Sequence, residues 1–294
     1  MKNYLNEYMD IAVENITIFA DGLDHPECVA VHPNGTVWAG GEAGQIYMIS
    51  EDGAVIKEVA NTGGFVLGIA FSPDCSWLAI CDLKNKCIWK LVLATLQLEI
   101  FTTGAGEDQL SIPNYAVFDS KGKLYVSDSG AFRQINGKIF CFNQDGTGVV
   151  WHKGPFNFAN GMALSKNEEY LYVVCTWLPG VERININADG TAGEREEYVK
   201  LLQSCPDGIA FDCEENLYIS CYAPNCIYIA NTKKDLSVLS YDWEAHTLSN
   251  PTNIAFGGKG AKQLFAANLG RWHISRMDMK VAGLPLACFK NYDV

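Results

Sequence analysis

The chain has 294 residues, 48% of them hydrophobic, and carries 34 acidic against 22 basic side chains for a net charge of −12. That is ample material for a packed core, and it offers no basic stripe or Lys/Arg run to meet a nucleic-acid backbone. Eleven cysteines, an N-terminus without a basic-then-apolar leader pattern, and no apolar run near the ~20 residues of a membrane span lead to the expectation of free thiols in a reducing cytoplasm, away from membranes.

In chain order, residues 1–12 read as a loose or helical extension, and residues 13–20, Val-Glu-Asn-Ile-Thr-Ile-Phe-Ala, read as a strand. Six copies of one pattern follow: PECVAVHPNGTVWAGG from Pro26, VLGIAFSPDCSWLAICD from Val66, PNYAVFDSKGKLYVSDS from Pro113, ANGMALSKNEEYLYVVCT from Ala159, PDGIAFDCEENLYISCY from Pro206 and PTNIAFGGKGAKQLFAANLG from Pro251. Each copy opens with an apolar strand, passes a Pro, Gly, Asn or Asp turn, and returns in an aromatic or β-branched strand such as Trp77-Leu-Ala-Ile80 or Leu124-Tyr-Val126. A third strand recurs, for example Gln45 to Ile49 and Cys226 to Ala230, and in blade six around His273 to Met277. A fourth is expected around Ala54 to Val59 and Val149 to His152. Four strands per repeat at a period near 45 residues define an all-β, six-bladed β-propeller with antiparallel blades, one domain over residues 1–294. The early strand is expected to pair with the last blade and close the ring, leaving no open edge.

The second position of the repeat holds Glu27, Leu67, Asn114, Asn160, Asp207 and Thr252. In a propeller these positions converge on the axis. Two carboxylates and two amide carbonyls meeting there are hard oxygen donors, with no His or Cys among them. Such a set suits one divalent cation, with Ca²⁺ favoured because four protein ligands leave positions for water or substrate; Mg²⁺, Mn²⁺ and oxygen-ligated Zn²⁺ are also compatible. Asx residues at strand starts often only cap turns, but Leu67 and Thr252 show that the repeat does not require one here. The ends of the second strands, among them Ser127-Asp128-Ser129, Thr176-Trp177 and Cys221-Tyr222, should wall a pocket beside this column.

The segments PECVAV, PNYAVFD, ANGMALS and PDGIAFD, together with GGFVLGIAF, resemble the metal-binding segments of the family of senescence marker proteins, gluconolactonases and luciferin-regenerating enzymes, over nearly the whole chain. The resemblance implies a six-bladed propeller with one divalent metal at its axis and hydrolysis of a sugar-acid lactone or related ester. Carried over by position, Glu27, Asn160 and Asp207 match the core metal ligands, and Asn114 matches a position that binds metal or substrate. Two positions depart from the pattern: Ile112 stands where sugar-lactone enzymes carry a substrate-binding Arg, and Leu67 and Gly68 stand where paraoxonase-like relatives carry a His. The substrate is therefore expected to differ from that of the best-known members.

The chemistry expected is metal-assisted hydrolysis of an ester bond, in the manner of a carboxylic-ester hydrolase. Asp207 is the leading base or nucleophile and Asp128 the second candidate base. Arg133, Trp177, Tyr222, Phe65 and His273 are candidate substrate contacts. Phosphotriester hydrolysis on the same metal, or metal-dependent binding of a small molecule without turnover, are the alternatives. A small-molecule substrate is expected as partner, with the chain a monomer or weak homo-oligomer. The absence of a Gly-rich phosphate loop or a Gly-x-Ser-x-Gly elbow leaves kinase, dehydrogenase and serine-hydrolase chemistry without support.

Overall fold

The structure is a computed structural model that describes residues 8–289. Six four-stranded antiparallel sheets succeed one another around an axis. From inner to outer strand, blade 1 runs from Cys28–Val31 to Ile56–Asn61, blade 2 from Val66–Phe71 to Gln97–Thr102 and blade 3 from Pro113–Phe118 to Gly148–Phe156. Blade 4 runs from Ala159–Leu164 to Ala192–Lys200 and blade 5 from Cys205–Phe211 to Leu236–Tyr241. Blade 6 consists of Pro251–Gly257, Gln263–Asn268 and His273–Asp278, with the N-terminal strand Thr17–Asp21 as its outer edge. The ring is thus closed by pairing the start of the chain with its last blade, as expected. Two details differ from the sequence expectation. Val13–Asn15 is a 3₁₀ turn rather than strand. Of the N-terminal extension, residues 1–7 lie outside the described residues. Residues 10 and 11 are held, with their N–H groups donating to the carbonyls of Val238 and Leu239 at 3.1 and 2.8 Å.

The core is distributed between blades. Six apolar clusters each join two neighbouring sheets, such as Trp77, Ala79 and Ile88 of blade 2 against Phe118, Leu124 and Phe140 of blade 3. Another joins Phe19 and Phe265 of blade 6 to Val29 and Ile49 of blade 1. Stacking of this kind buries both faces of every blade without any blade being stable alone. Along the axis lies an apolar cavity of about 140 Å³, lined by inner-strand side chains including Val29, Ile69, Met162 and Ile209 and bounded by Leu284, Leu286 and Phe289 of the C-terminal segment.

The inner strands are not regular. In blades 2 to 6 the pairing with the second strand slips at the column: between Val66 and Gly68, Pro113 and Tyr115, Ala159 and Met162, Pro206 and Ile209, and Pro251 and Ile254. Such a bulge inserts an extra residue and re-aims its side chain. It also frees a backbone N–H that must find a partner. In blade 3 the Tyr115 N–H donates to Ser127 Oγ at 3.0 Å, and in blade 5 the Gly208 N–H donates to Ser220 Oγ at 3.1 Å.

The bulges bring neighbouring inner strands unusually close. A Cβ placed on Gly161 would stand 2.3 Å from the Asp207 carbonyl oxygen, and one on Gly208 2.7 Å from that of Thr252. A side chain there is excluded by backbone, which cannot give way. Gly161→Ala should therefore lower the thermal unfolding midpoint by an amount equivalent to about 1–3 kcal/mol, the usual cost of overpacking. An unchanged midpoint would show that the strand spacing is not a constraint.

Candidate functional site

The bulges of blades 3 to 5 carry Asn114, Asn160 and Asp207, whereas Glu27 precedes the regular inner strand of blade 1. Glu27, Asn114 and Asn160 are 8, 5 and 4% exposed, and Asp207 is partly buried. The Asn160 side chain hydrogen-bonds Asp207, and the Asp207 charge bears on Glu27. Both asparagines are oriented by a hydroxyl. Asn114 Nδ2 donates to Ser129 Oγ at 3.0 Å, and Ser129 Oγ in turn donates to the Ala159 carbonyl of the next blade at 2.6 Å. Asn160 Nδ2 donates to Thr176 Oγ1 at 3.2 Å, which donates to the Pro206 carbonyl at 2.8 Å. With each amide nitrogen tied down in this way, the carbonyl oxygen is the end left for the channel.

Two atoms of the column are buried without any hydrogen-bond partner: Glu27 Oε2 and Asn160 Oδ1. Buried acceptors are nearly always satisfied, so an orphaned pair on one ring calls for an ion or water. The carboxyls are also electrostatically uncomfortable. Burial, and then the charges of Asp207 and Glu42, push Glu27 well above the usual carboxylate range. Burial likewise raises Asp207 to about 8, against the opposing effect of its hydrogen bond from Asn160. A dication would satisfy the orphaned oxygens and let both carboxylates ionise. The residues present therefore fit a hard divalent cation. Among the described residues no group of three or more His, Cys, Asp or Glu side chains is placed to hold a metal, as befits a ring in which half of the four oxygen donors are amides.

The other sequence candidates divide. Trp177 and Tyr222 stand at the mouth, 38 and 41% exposed, and Phe65 is partly buried. Arg133 is exposed, its guanidinium 5.3 Å from the Phe132 ring on the loop after the second strand of blade 3. Asp128 is not free to act as a base. Its carboxylate accepts the N–H groups of Ser111, Ile112 and Gly130 at 2.6, 3.0 and 2.8 Å and is 3% exposed. Asp82 accepts the Phe65 N–H, and Asn268 the Ser249 N–H, in the same way. Asp128 is thus one copy of a repeated brace that holds the segment leading into an inner strand. His273 is likewise no substrate contact. It is 4% exposed within its blade, with Nε2 3.0 Å from the Thr247 carbonyl.

Four residues at the site escaped the sequence analysis. Phe132 and Phe158 join Trp177 in an aromatic cluster with centroids 5.6 to 6.2 Å apart, and Phe158 holds a left-handed backbone (φ 63°) two residues before Asn160. Such strain in a bulky residue is uncommon outside functional segments. Tyr115 and Asn253 occupy the position just after the column. The Tyr115 phenol, raised by burial, lies beside the Asn253 side chain. Blades 3 and 6 face each other across the ring, so the two side chains meet across the channel. Glycine holds the same position in blades 2, 4 and 5, packed against the backbone of the next inner strand.

The molecule is thus a six-bladed propeller with an oxygen-lined axial centre under an aromatic mouth. A model of the SMP-30/gluconolactonase/LRE-like region matches residues 91–268, and the chain belongs to that family. Lactonase drp35 of Staphylococcus haemolyticus is 30% identical over 122 residues, 40% of this chain and 38% of the relative, and the Staphylococcus epidermidis protein of that name matches to the same extent. The chain thus spans less than half the length of these curated relatives. A structure of a putative gluconolactonase superposes with a TM-score of 0.79 at 17% identity, covering 92% of this chain and 94% of that one. A gluconolactonase from Xanthomonas campestris gives 0.77 at 18%, over 90 and 89%. A protein described as the calcium-binding protein regucalcin, from Agrobacterium tumefaciens, gives 0.77 at 15%, over 92 and 96%. These likenesses show the fold.

The carboxyl pair has a consequence for stability. In the cation-free chain the folded state keeps protons on Asp207 up to about pH 8, whereas the unfolded chain releases them near pH 4. A raised folded pKa contributes stability that is present below the unfolded value and lost as pH rises through the folded one. The unfolding midpoint of chelator-treated protein should therefore fall between about pH 5 and pH 8, and Asp207→Asn should flatten the slope. A midpoint that climbs across this window in the wild type would contradict the pairing.

Proposed function

We propose that the chain is a divalent-cation-dependent hydrolase of a lactone or related cyclic ester, with Ca²⁺ held by Glu27, Asn114, Asn160 and Asp207. The observation that carries this is the pair of unpartnered buried oxygens, Glu27 Oε2 and Asn160 Oδ1, on one ring with the half-buried carboxyl of Asp207. Family membership, the name lactonase on the drp35 relatives and the description of regucalcin as calcium-binding support it. When bound, the cation supplies Lewis acidity toward the ester carbonyl and electrostatic stabilisation of the oxyanion.

The side chains have separable tasks. Asn114 and Asn160 cannot take a proton at neutral pH, so they hold and orient. Glu27 is the more deeply enclosed carboxylate and balances charge. Asp207 is the more accessible, and it is the group placed to take a proton from attacking water. Its raised pKa means that it serves as a base only once a cation beside it favours the ionised form. The aromatic cluster of Phe132, Phe158 and Trp177 gives the mouth an apolar wall that suits the hydrocarbon part of an ester and shields the reacting bond from bulk water.

A screen of the Ca²⁺-loaded chain against aldonolactones, acyl lactones and aryl esters should find turnover that chelation removes. Glu27→Gln should weaken cation binding sharply, because it removes one of two compensating charges. Asp207→Asn should lower kcat by about 10²-fold or more even with saturating cation, as expected for loss of a general base. Asp128→Asn should lower the unfolding midpoint yet leave kcat within a few-fold. Loss of turnover in Asp128→Asn at full folding, with Asp207→Asn rescued by cation, would reverse these roles.

A further inference from the structure

Among the described residues, three buried side-chain oxygen or nitrogen atoms lack any hydrogen-bond partner. Two belong to the column. The third is Oδ1 of Asn253, in blade 6, a side chain only 3% exposed. Its placement is not incidental. Blade 6 stands between blade 5, which carries Asp207, and blade 1, which carries Glu27. A Cβ on Gly208, the residue after Asp207, would stand 2.8 Å from the Asn253 Cα. Thr252, immediately before it, donates from Oγ1 to the Glu27 carbonyl at 2.6 Å. Asn253 therefore sits in the gap between the two carboxylate-bearing strands, inside the bulge that spans Pro251 to Ile254.

The orientation of its amide follows the rule of the other two asparagines. Asn114 is pinned through its nitrogen by Ser129, and Asn160 by Thr176. Asn253 has the Tyr115 phenol of blade 3 beside it. In all three a hydroxyl stands next to the amide, and the amide oxygen is left over. An amide oxygen buried and left unpaired is costly to the fold.

We infer that Asn253 supplies a fifth protein oxygen to the same divalent cation, with Tyr115 as its positioning residue. The inference rests on the cation-dependent function proposed above. A hard cation of the Ca²⁺ type takes six to eight oxygens, so the four column residues leave space for it. One ion then accounts for all three orphaned atoms at once.

The test is calorimetric titration of the whole chain with calcium chloride, which needs no substrate. Asn253→Leu, close in volume and without oxygen, should weaken binding about tenfold or more, the scale seen when a supporting group at a metal site is removed. Asn253→Asp, which restores an oxygen and adds charge, should bind at least as tightly as wild type. Tyr115→Phe should give a smaller loss, because the amide is then free to turn. Circular dichroism in chelator establishes that each variant folds, and if Asn253→Leu does not, Asn253→Asp decides alone. If wild type binds Ca²⁺ and Asn253→Leu binds equally well, or if Asn253→Asp binds more weakly, Asn253 is no ligand and only this inference falls. If wild type binds none of Ca²⁺, Mg²⁺ or Mn²⁺, the centre itself falls with it.

Discussion

Everything at the axis depends on how closely the inner strands approach one another. A hydroxyl of one blade donates to an inner-strand carbonyl of the next: Ser129 to Ala159, Thr176 to Pro206, Ser220 to Thr252 and Thr252 to Glu27, at 2.6 to 2.9 Å. These bonds stitch blades 3 through 6 back to blade 1 at the level of the column. Between blades 4 and 5 and between blades 5 and 6 the close approach needs the glycine that follows the column residue, where any Cβ would collide with the neighbouring backbone. Backbone proximity, inter-blade bonding and convergence of the column are therefore one constraint. Ser129 and Thr176 each accept from a column amide and donate to the next blade, so the bonds that close the ring also aim the column side chains.

The repeat architecture was legible because each blade must bury the same two faces against its neighbours. That requirement reproduces the strand–turn–strand pattern in every copy, and the period near 45 residues follows. The column was legible for the same reason. Strand alternation places one residue per blade toward the axis, and reading Glu27, Asn114, Asn160 and Asp207 off equivalent positions needs nothing more. The closing strand was found near its true place, although its first residues form a turn.

What alternation could not supply is the bulge. An extra residue in the ladder exposes a second position to the channel, and no pattern of apolar and polar residues announces it. Thr252 was therefore placed in the column while Asn253, its neighbour, passed unnoticed. A trace was present: glycine follows the column residue in blades 2, 4 and 5, whereas Cys28, Tyr115 and Asn253 break the rule. Asp128 was misjudged for a different reason. An acidic residue at a strand end beside the column has the appearance of a catalytic group. Only its hydrogen bonds, repeated at Asp82 and Asn268, show a brace. His273 was misplaced because proximity in sequence to the Asn268 loop says nothing of which face of the blade a side chain takes.

At the centre local and global preferences disagree. Among the described residues the other buried side-chain polar atoms find partners, and the blades pack apolar faces. At the axis Glu27 is buried beside the half-buried Asp207, and three oxygens lack partners. Such conflicts weaken a fold and persist where function requires them. Here six inter-blade cores can carry the deficit, since none of them depends on the axial groups. The oxygens can therefore stay poised for a ligand without endangering the ring. This division of labour is consistent with a propeller that recurs at identities of 15 to 18%, because the inter-blade cores, not the axial groups, hold the ring together.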